Sequence, residues 1–272
     1  MWRGAHEKAG MTLAVGGGVP GMPAAFLTPT VFGFLMVLFR ATALCSVAPL
    51  FGTKAIPVRM RMGLAVVIAY AAFAGAGAPL FTGTTGALVQ GAIVETVIGL
   101  SAGLAARFAL EAVGAAGQII ATSIGLSFGA TVDPLHGTES TAISELLSMI
   151  ALGAMVAAGV HRELIVWLCR SVVSLPPGSA LDIGPLAGMV VTHALSAIAL
   201  AVRMSFPVLV AVTFGHIALG IVGRTAPQLN ISSVGFSITI LAGGGALYMV
   251  APMIAEMAAQ AASRALGQGA GF

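Results

Sequence analysis

The residues whose types could support chemistry are few and scattered. Gly125-Leu126-Ser127-Phe128-Gly129 has the G-x-S-x-G form that presents a nucleophilic serine on a strained strand-to-helix turn. No alternation of strands and helices surrounds it, and Asp133 and His136 lie too near in sequence to be assumed triad partners. What is left of a hydrolase reading is an intramembrane pair of Ser127 with His216. His161-Arg162-Glu163 lacks the second histidine one turn away that a zinc helix needs. Cys45 and Cys169 stand singly, without metal or disulfide spacing. Gly243-Gly244-Gly245 is not followed by the Lys-Ser/Thr of a phosphate loop. No catalytic residue, metal site or cofactor is expected from these patterns.

Four ionisable groups interrupt otherwise apolar stretches: Glu95, His193, Arg203 and His216. A charge in lipid costs roughly 2.5–3.5 kcal/mol on insertion scales, so Glu95 and Arg203 have to face protein, water or each other. A proton or substrate path through these groups makes a secondary transporter one reading. A structural pair inside an oligomer makes the other, which the frequency of such pairs favours.

The elements that position these groups must be membrane helices. The chain is 58% hydrophobic and 8% charged over 272 residues, with a mean hydropathy of +1.03. Charge that sparse cannot coat a water-facing fold, which excludes a soluble globule. No charge occurs between Lys8 and Arg40, between Arg61 and Glu95, between Glu111 and Asp133, or between Arg224 and Glu256. Each gap exceeds the roughly 20 residues that cross a bilayer as a helix. The runs are apolar all round and do not alternate, which argues against a barrel. Helical segments are predicted over 24–50, 62–81, 86–110, 112–130, 143–172, 183–223 and 231–262. They form one helical domain over 24–262, between a flexible tail at 1–23 and another at 263–272.

The 36 glycines lie inside these apolar runs, where small residues let helix backbones approach closely in lipid. Gly99-xxx-Gly103, Ala121-xxx-Gly125 and Gly125-xxx-Gly129 are the candidate contacts. The net charge of +3 includes no basic run of the kind that binds nucleic acid. Lys54, Arg59 and Arg61 share the short link before the second segment, which the positive-inside rule places in the cytoplasm, with Pro57 ending any helix there.

Two stretches fit poorly with simple spans. Ile183 to Gly223 would reach on the order of 60 Å as one helix, about twice the hydrocarbon thickness. It is either a hairpin turning near Arg203 or one long helix that leaves the bilayer, and Pro207 permits a kink in both. Gly117 to Gly129 is apolar but seeded with hydroxyls and glycines, which suits a pore or gate lining better than a rigid span.

Three stretches together resemble one family. Leu38-Phe39-Arg40-Ala41-Thr42-Ala43-Leu44, Ala48-Pro49-Leu50-Phe51 and Ala55-Ile56-Pro57-Val58-Arg59-Met60-Arg61 are similar to the N-terminal signature of the R component, FliR, of the bacterial flagellar type III export gate. Ala116-Gly117-Gln118, Gly125-Leu126-Ser127-Phe128 and Val132-Asp133-Pro134 resemble its middle motif. Ala218-Leu219-Gly220-Ile221-Val222-Gly223-Arg224-Thr225-Ala226-Pro227-Gln228-Leu229-Asn230, with Val234-Gly235-Phe236, is the most specific match. The chain departs from the pattern at Ser123-Ile124 in place of Gln-Met, at Gly159-Val160 before His161 in place of Asn-Gly, and at Ser237 in place of proline.

The resemblance implies an all-α, polytopic fold of helical hairpins and oblique long helices in a hetero-oligomeric gate. It implies a non-enzymatic channel subunit in the bacterial inner membrane and flagellar basal body, required for flagellar protein export. Its partners would be the P, Q and B components, unfolded exported proteins in transit, and membrane lipid. A plug-like loop near 119–135 would close the pore, with Ile119, Ile124, Gly125, Leu126, Ser127, Phe128, Gly129 and Asp133 as gating residues. Arg40, Pro57, Arg59, Arg203, Arg224, Pro227, Gln228 and Asn230 are the expected subunit contacts.

Overall fold

The computed structural model describes residues 24–53, 56–82, 85–125, 142–179, 183–225 and 231–268. Among these the chain is helical: α1 (Ala24–Val47), α2 (Val58–Gly75), α3 (Thr85–Ile124), α4 (Ala142–Ala157), α5 (Val160–Ser174), α6 (Ile183–Thr225) and α7 (Ile231–Gln268). Five of these are long and apolar enough to cross a membrane, and α4 with α5 make a sixth candidate as one bent span. The all-helical membrane architecture expected from composition is what the structure has.

The helix α3 is the central strut, packing against α1, α4, α6 and α7. Its first half meets α1 through Gly99 and Gly103. A Cβ on Gly99 would run into the Arg40 carbonyl, and one on Gly103 would sit 3.0 Å from the Leu44 carbonyl. The predicted Gly99-xxx-Gly103 contact therefore exists, because only hydrogen at both positions lets the two backbones touch. Farther along, a Cβ on Gly117 would lie 2.6 Å from Ser144 Cα of α4, and the Ser144 hydroxyl donates to the Gly114 carbonyl at 2.8 Å.

Segment boundaries differ from the sequence reading in three places. Residues 86–124 form one helix where two were expected, since nothing between Leu110 and Ala112 breaks the backbone ladder. Conversely, 143–172 is two helices bent by 59°. The break is at Gly159, whose left-handed φ of +80° ends one helix and N-caps the next. Finally, α7 continues to Gln268 with Ala265 and Leu266 buried, so the segment assigned to a tail from 263 is largely helix. Residues 1–23 lie outside the described residues.

The open question about Ile183–Gly223 resolves in favour of one long helix. Pro207 removes the backbone donor to the Arg203 carbonyl, yet α6 continues through it. Pro252 does the same inside α7.

Candidate functional site

The most developed polar site is buried, and it starts from Arg40 on α1, which is 0% exposed. Its Nε donates to Glu95 Oε2 at 2.5 Å, one terminal nitrogen to Ser171 Oγ at 3.1 Å and the other to the Leu175 carbonyl at 3.0 Å. Glu95, on α3, uses its second oxygen to accept from the Gly178 N–H at 3.4 Å. Four pieces of chain converge here: α1, α3, the end of α5 and the turn that leads to α6.

The local sequence explains the convergence. Gly178 has a φ of +83° and stands where any Cβ would strike the Phe81 ring. Phe81 in turn donates its N–H to the Pro29 carbonyl at 3.1 Å, which draws the segment before α3 against α1. Gly91 faces Met36 Sδ closely enough that a Cβ would sit 3.2 Å away. The walls are therefore tight around the ion pair, and its charges are compensated by each other and by hydrogen bonds, the condition under which buried charge is tolerated.

This cluster settles the place of the lone charges. Glu95 meets Arg40 and not Arg203, which is exposed on α6. Arg40 is enclosed within this chain, so its expected place at an outer subunit contact is not where the side chain lies. Both oxygens of the Glu95 carboxylate are bonded and the residue is 1% exposed, so it is closed off from solvent in this chain. His193 and Arg203 line one cleft, while His216 is exposed farther along the same helix, so the four groups invoked for a transporter are not brought together. Among the described residues no group of histidines, cysteines or acids has metal-binding geometry. Ser127 lies outside the described residues, and with it the Ser127–His216 pair.

The other expected sites distribute as follows. Ile119 is half-buried and Ile124 buried, both still within α3. Ile124 packs against α6 and α7 so closely that a Cβ on Gly243 would lie 2.5 Å from its Cγ1 and 3.0 Å from Val212 Cγ2. Gly125 ends the helix with φ +88° and an N–H donated to the Thr122 carbonyl at 3.1 Å. Any loop thus starts at Gly125, six residues later than Ile119, and Gly125 is the residue that ends the helix. Leu126, Ser127, Phe128, Gly129 and Asp133 lie outside the described residues, as do Pro227, Gln228 and Asn230. Pro57 N-caps α2 in an extended conformation, and Arg59 is exposed just beyond it. Arg61 donates to the Thr53 carbonyl at 2.9 Å and ties the link to the helix. Arg224 is exposed in the last turn of α6, favourable for the helix dipole.

Ser171, the Leu175 carbonyl and Gly178 escaped the sequence reading. Backbone acceptors and an internal serine carry no pattern of their own. Arg40 and Glu95 stand out in the sequence as charges within apolar stretches, but nothing in it pairs them.

Fold and site together define a polytopic helical membrane protein whose buried charges bind helices to one another. Residues 31–265 match the family model described as bacterial export proteins, family 1. The chain belongs to this family. Among its relatives, the flagellar biosynthetic protein FliR of Escherichia coli strain K12 is 32% identical over 222 residues, covering 80% of this chain and 84% of that protein. FliR of Bacillus subtilis strain 168 is 30% identical over 210 residues, covering 76% and 81%. FliR of Caulobacter vibrioides is 29% identical over 215 residues, covering 76% and 84%.

Proposed function

We propose that the chain is a structural channel subunit of the flagellar type III export gate in the bacterial inner membrane. It assembles with the P, Q and B components, passes unfolded proteins toward the growing flagellum, and makes or breaks no bond itself. The observation that carries this reading is the apolar face of α6 that no described residue covers. Val191, Leu195, Ile198, Val202, Phe206, Phe214, Ile217 and Ile221 are all exposed, along a helix of 43 residues. Such a helix is on the order of 65 Å long, about twice the hydrocarbon thickness, so lipid covers only part of that face. Apolar surface beyond the bilayer has to be covered by protein, and further gate subunits are the cover that the family membership supports. Exposed Pro57, Arg59 and Arg224, with Pro227, Gln228 and Asn230, are the proposed polar contacts around it.

The pore closure is assigned to Gly125–Asp133, hinged on the end of α3. Ile124, seated between α6 and α7, anchors the hinge, and Leu126 and Phe128 supply an apolar seal that blocks ions by dewetting. The test is expression with the P, Q and B components. Wild type is expected to co-purify with them, and a chain lacking Leu126–Phe128 is expected to assemble while raising ion leakage across the membrane. Failure of the wild type to co-purify overturns the gate reading. An assembled deletion with unchanged leakage overturns the plug alone.

A further inference from the structure

A cleft of about 300 Å³ between α3, α6 and α7 is used neither by the buried cluster nor by the proposed plug. Arg203 and Arg264 line it and are both exposed, while His193 on its wall is buried. Among the described residues no acid lines it. The acids on the neighbouring helices are engaged elsewhere. Glu111 is paired with Arg107 at 2.9 Å on α3. On α7, the Gln260 amide donates to Glu256 at 3.0 Å and its oxygen accepts from Arg264 at 2.9 Å, so Glu256 reaches Arg264 only through Gln260. What remains is uncompensated positive charge between apolar walls such as Phe108 and Leu200.

We propose that this cleft binds the phosphodiester of an anionic phospholipid headgroup, held by Arg203 and Arg264. Guanidinium groups match phosphate oxygens in a planar, two-pronged geometry that an ammonium cannot copy. The height of the site agrees. Ile183 to Val202 carries no charge and rises roughly 30 Å as a helix, the thickness of the hydrocarbon core, which sets Arg203 at a headgroup level. Leu195, Ile198, Val202 and Phe206 are exposed on the adjoining face of α6 and offer an apolar track for acyl chains. An acidic side chain on a partner's helix is the competing occupant.

The full chain, purified in a neutral detergent, is titrated separately with phosphatidylglycerol, phosphatidylcholine and inorganic phosphate, and retained adducts are read by native mass spectrometry. Phosphatidylglycerol is expected to be retained selectively. In R203Q/R264Q its affinity should fall about thirtyfold, from about 1 kcal/mol per interfacial arginine, while R203K/R264K, which keeps the charge and loses the fork, should fall by less. Ala199→Trp, which fills the cleft from its wall with both arginines intact, should reproduce the loss and covers the case in which R203Q/R264Q does not fold. Equal retention of the two lipids, or unchanged phosphatidylglycerol affinity in folded R203Q/R264Q or in Ala199→Trp, overturns the proposal. Retention of inorganic phosphate as tight as that of the lipid also overturns it, since the site then takes a free anion. So does a photo-crosslinker at position 199 that captures a protein chain in cells and no lipid.

Discussion

Around Arg40, α1 and α3 touch backbone to backbone and bury Val37, Ala41, Leu44, Ile98 and Ala102, whereas along the far lengths of α6 and α7 Phe214, Ile217, Phe236, Leu241, Tyr248 and Met249 stand exposed. Both regions are rich in glycine and apolar side chains, so composition does not separate them. The difference lies in what the glycines meet. Gly99 and Gly103 have a neighbouring helix where a Cβ would be, while Gly220, Gly244 and Gly245 have nothing within 4 Å among the described residues. The first region is finished within the chain. The second has the materials of a close helix interface and, among the described residues, no second surface against it.

The largest effect is expected at the ion pair. Glu95→Ala leaves Arg40 buried and uncompensated, which should cost about 3–5 kcal/mol. The check is denaturant unfolding of the purified chain in detergent. Arg40→Met with Glu95→Leu should recover most of that loss, because a packed apolar pair needs no solvation. If the single and double changes are equally damaging, the pair is not the source of the tightness.

Glycine substitutions come next, with opposite signs in the two regions. Gly99→Ala should destabilise by about 1–3 kcal/mol, since the Arg40 carbonyl belongs to the backbone and cannot step aside. Gly244→Ala should raise the stability of the isolated chain by up to about 1 kcal/mol, through helix propensity alone. A thermal melt of both variants sharpens the contrast, and equal shifts would remove it.

The smallest effect on the isolated chain is expected for Phe214→Ala with Ile217→Ala. Its unfolding should stay within about 0.5 kcal/mol of wild type, as surface changes usually do. Recovery with co-expressed gate subunits should nevertheless drop sharply. Unchanged recovery would mean that this face meets lipid and not protein.

Much of the fold was legible from the chain. Gaps between charges marked the helices, because burying a charge in lipid is costly enough to keep spans free of it. Gly99-xxx-Gly103 marked its contact through the one property that matters there, the missing side chain. The single helix at 86–124 and the break at Gly159 were not legible, because glycine signals tolerance as readily as a turn, and only the φ of +80° at Gly159 distinguishes the two. For the buried cluster, the lone charges Arg40 and Glu95 were visible but their pairing was not. They stand 55 residues apart, and no local pattern says that α1 lies against α3 in that register.

Hydropathy, sparse charge and ordered motifs are properties of the chain, and they suffice to mark a helical membrane protein of the export family. That Glu95 neutralises Arg40 while Arg203 faces outward, and that α6 runs unbroken through Pro207, emerges only from the packed helices. Both depend on which helix faces which. That follows from the summed packing of distant surfaces, and no short stretch of residues encodes it.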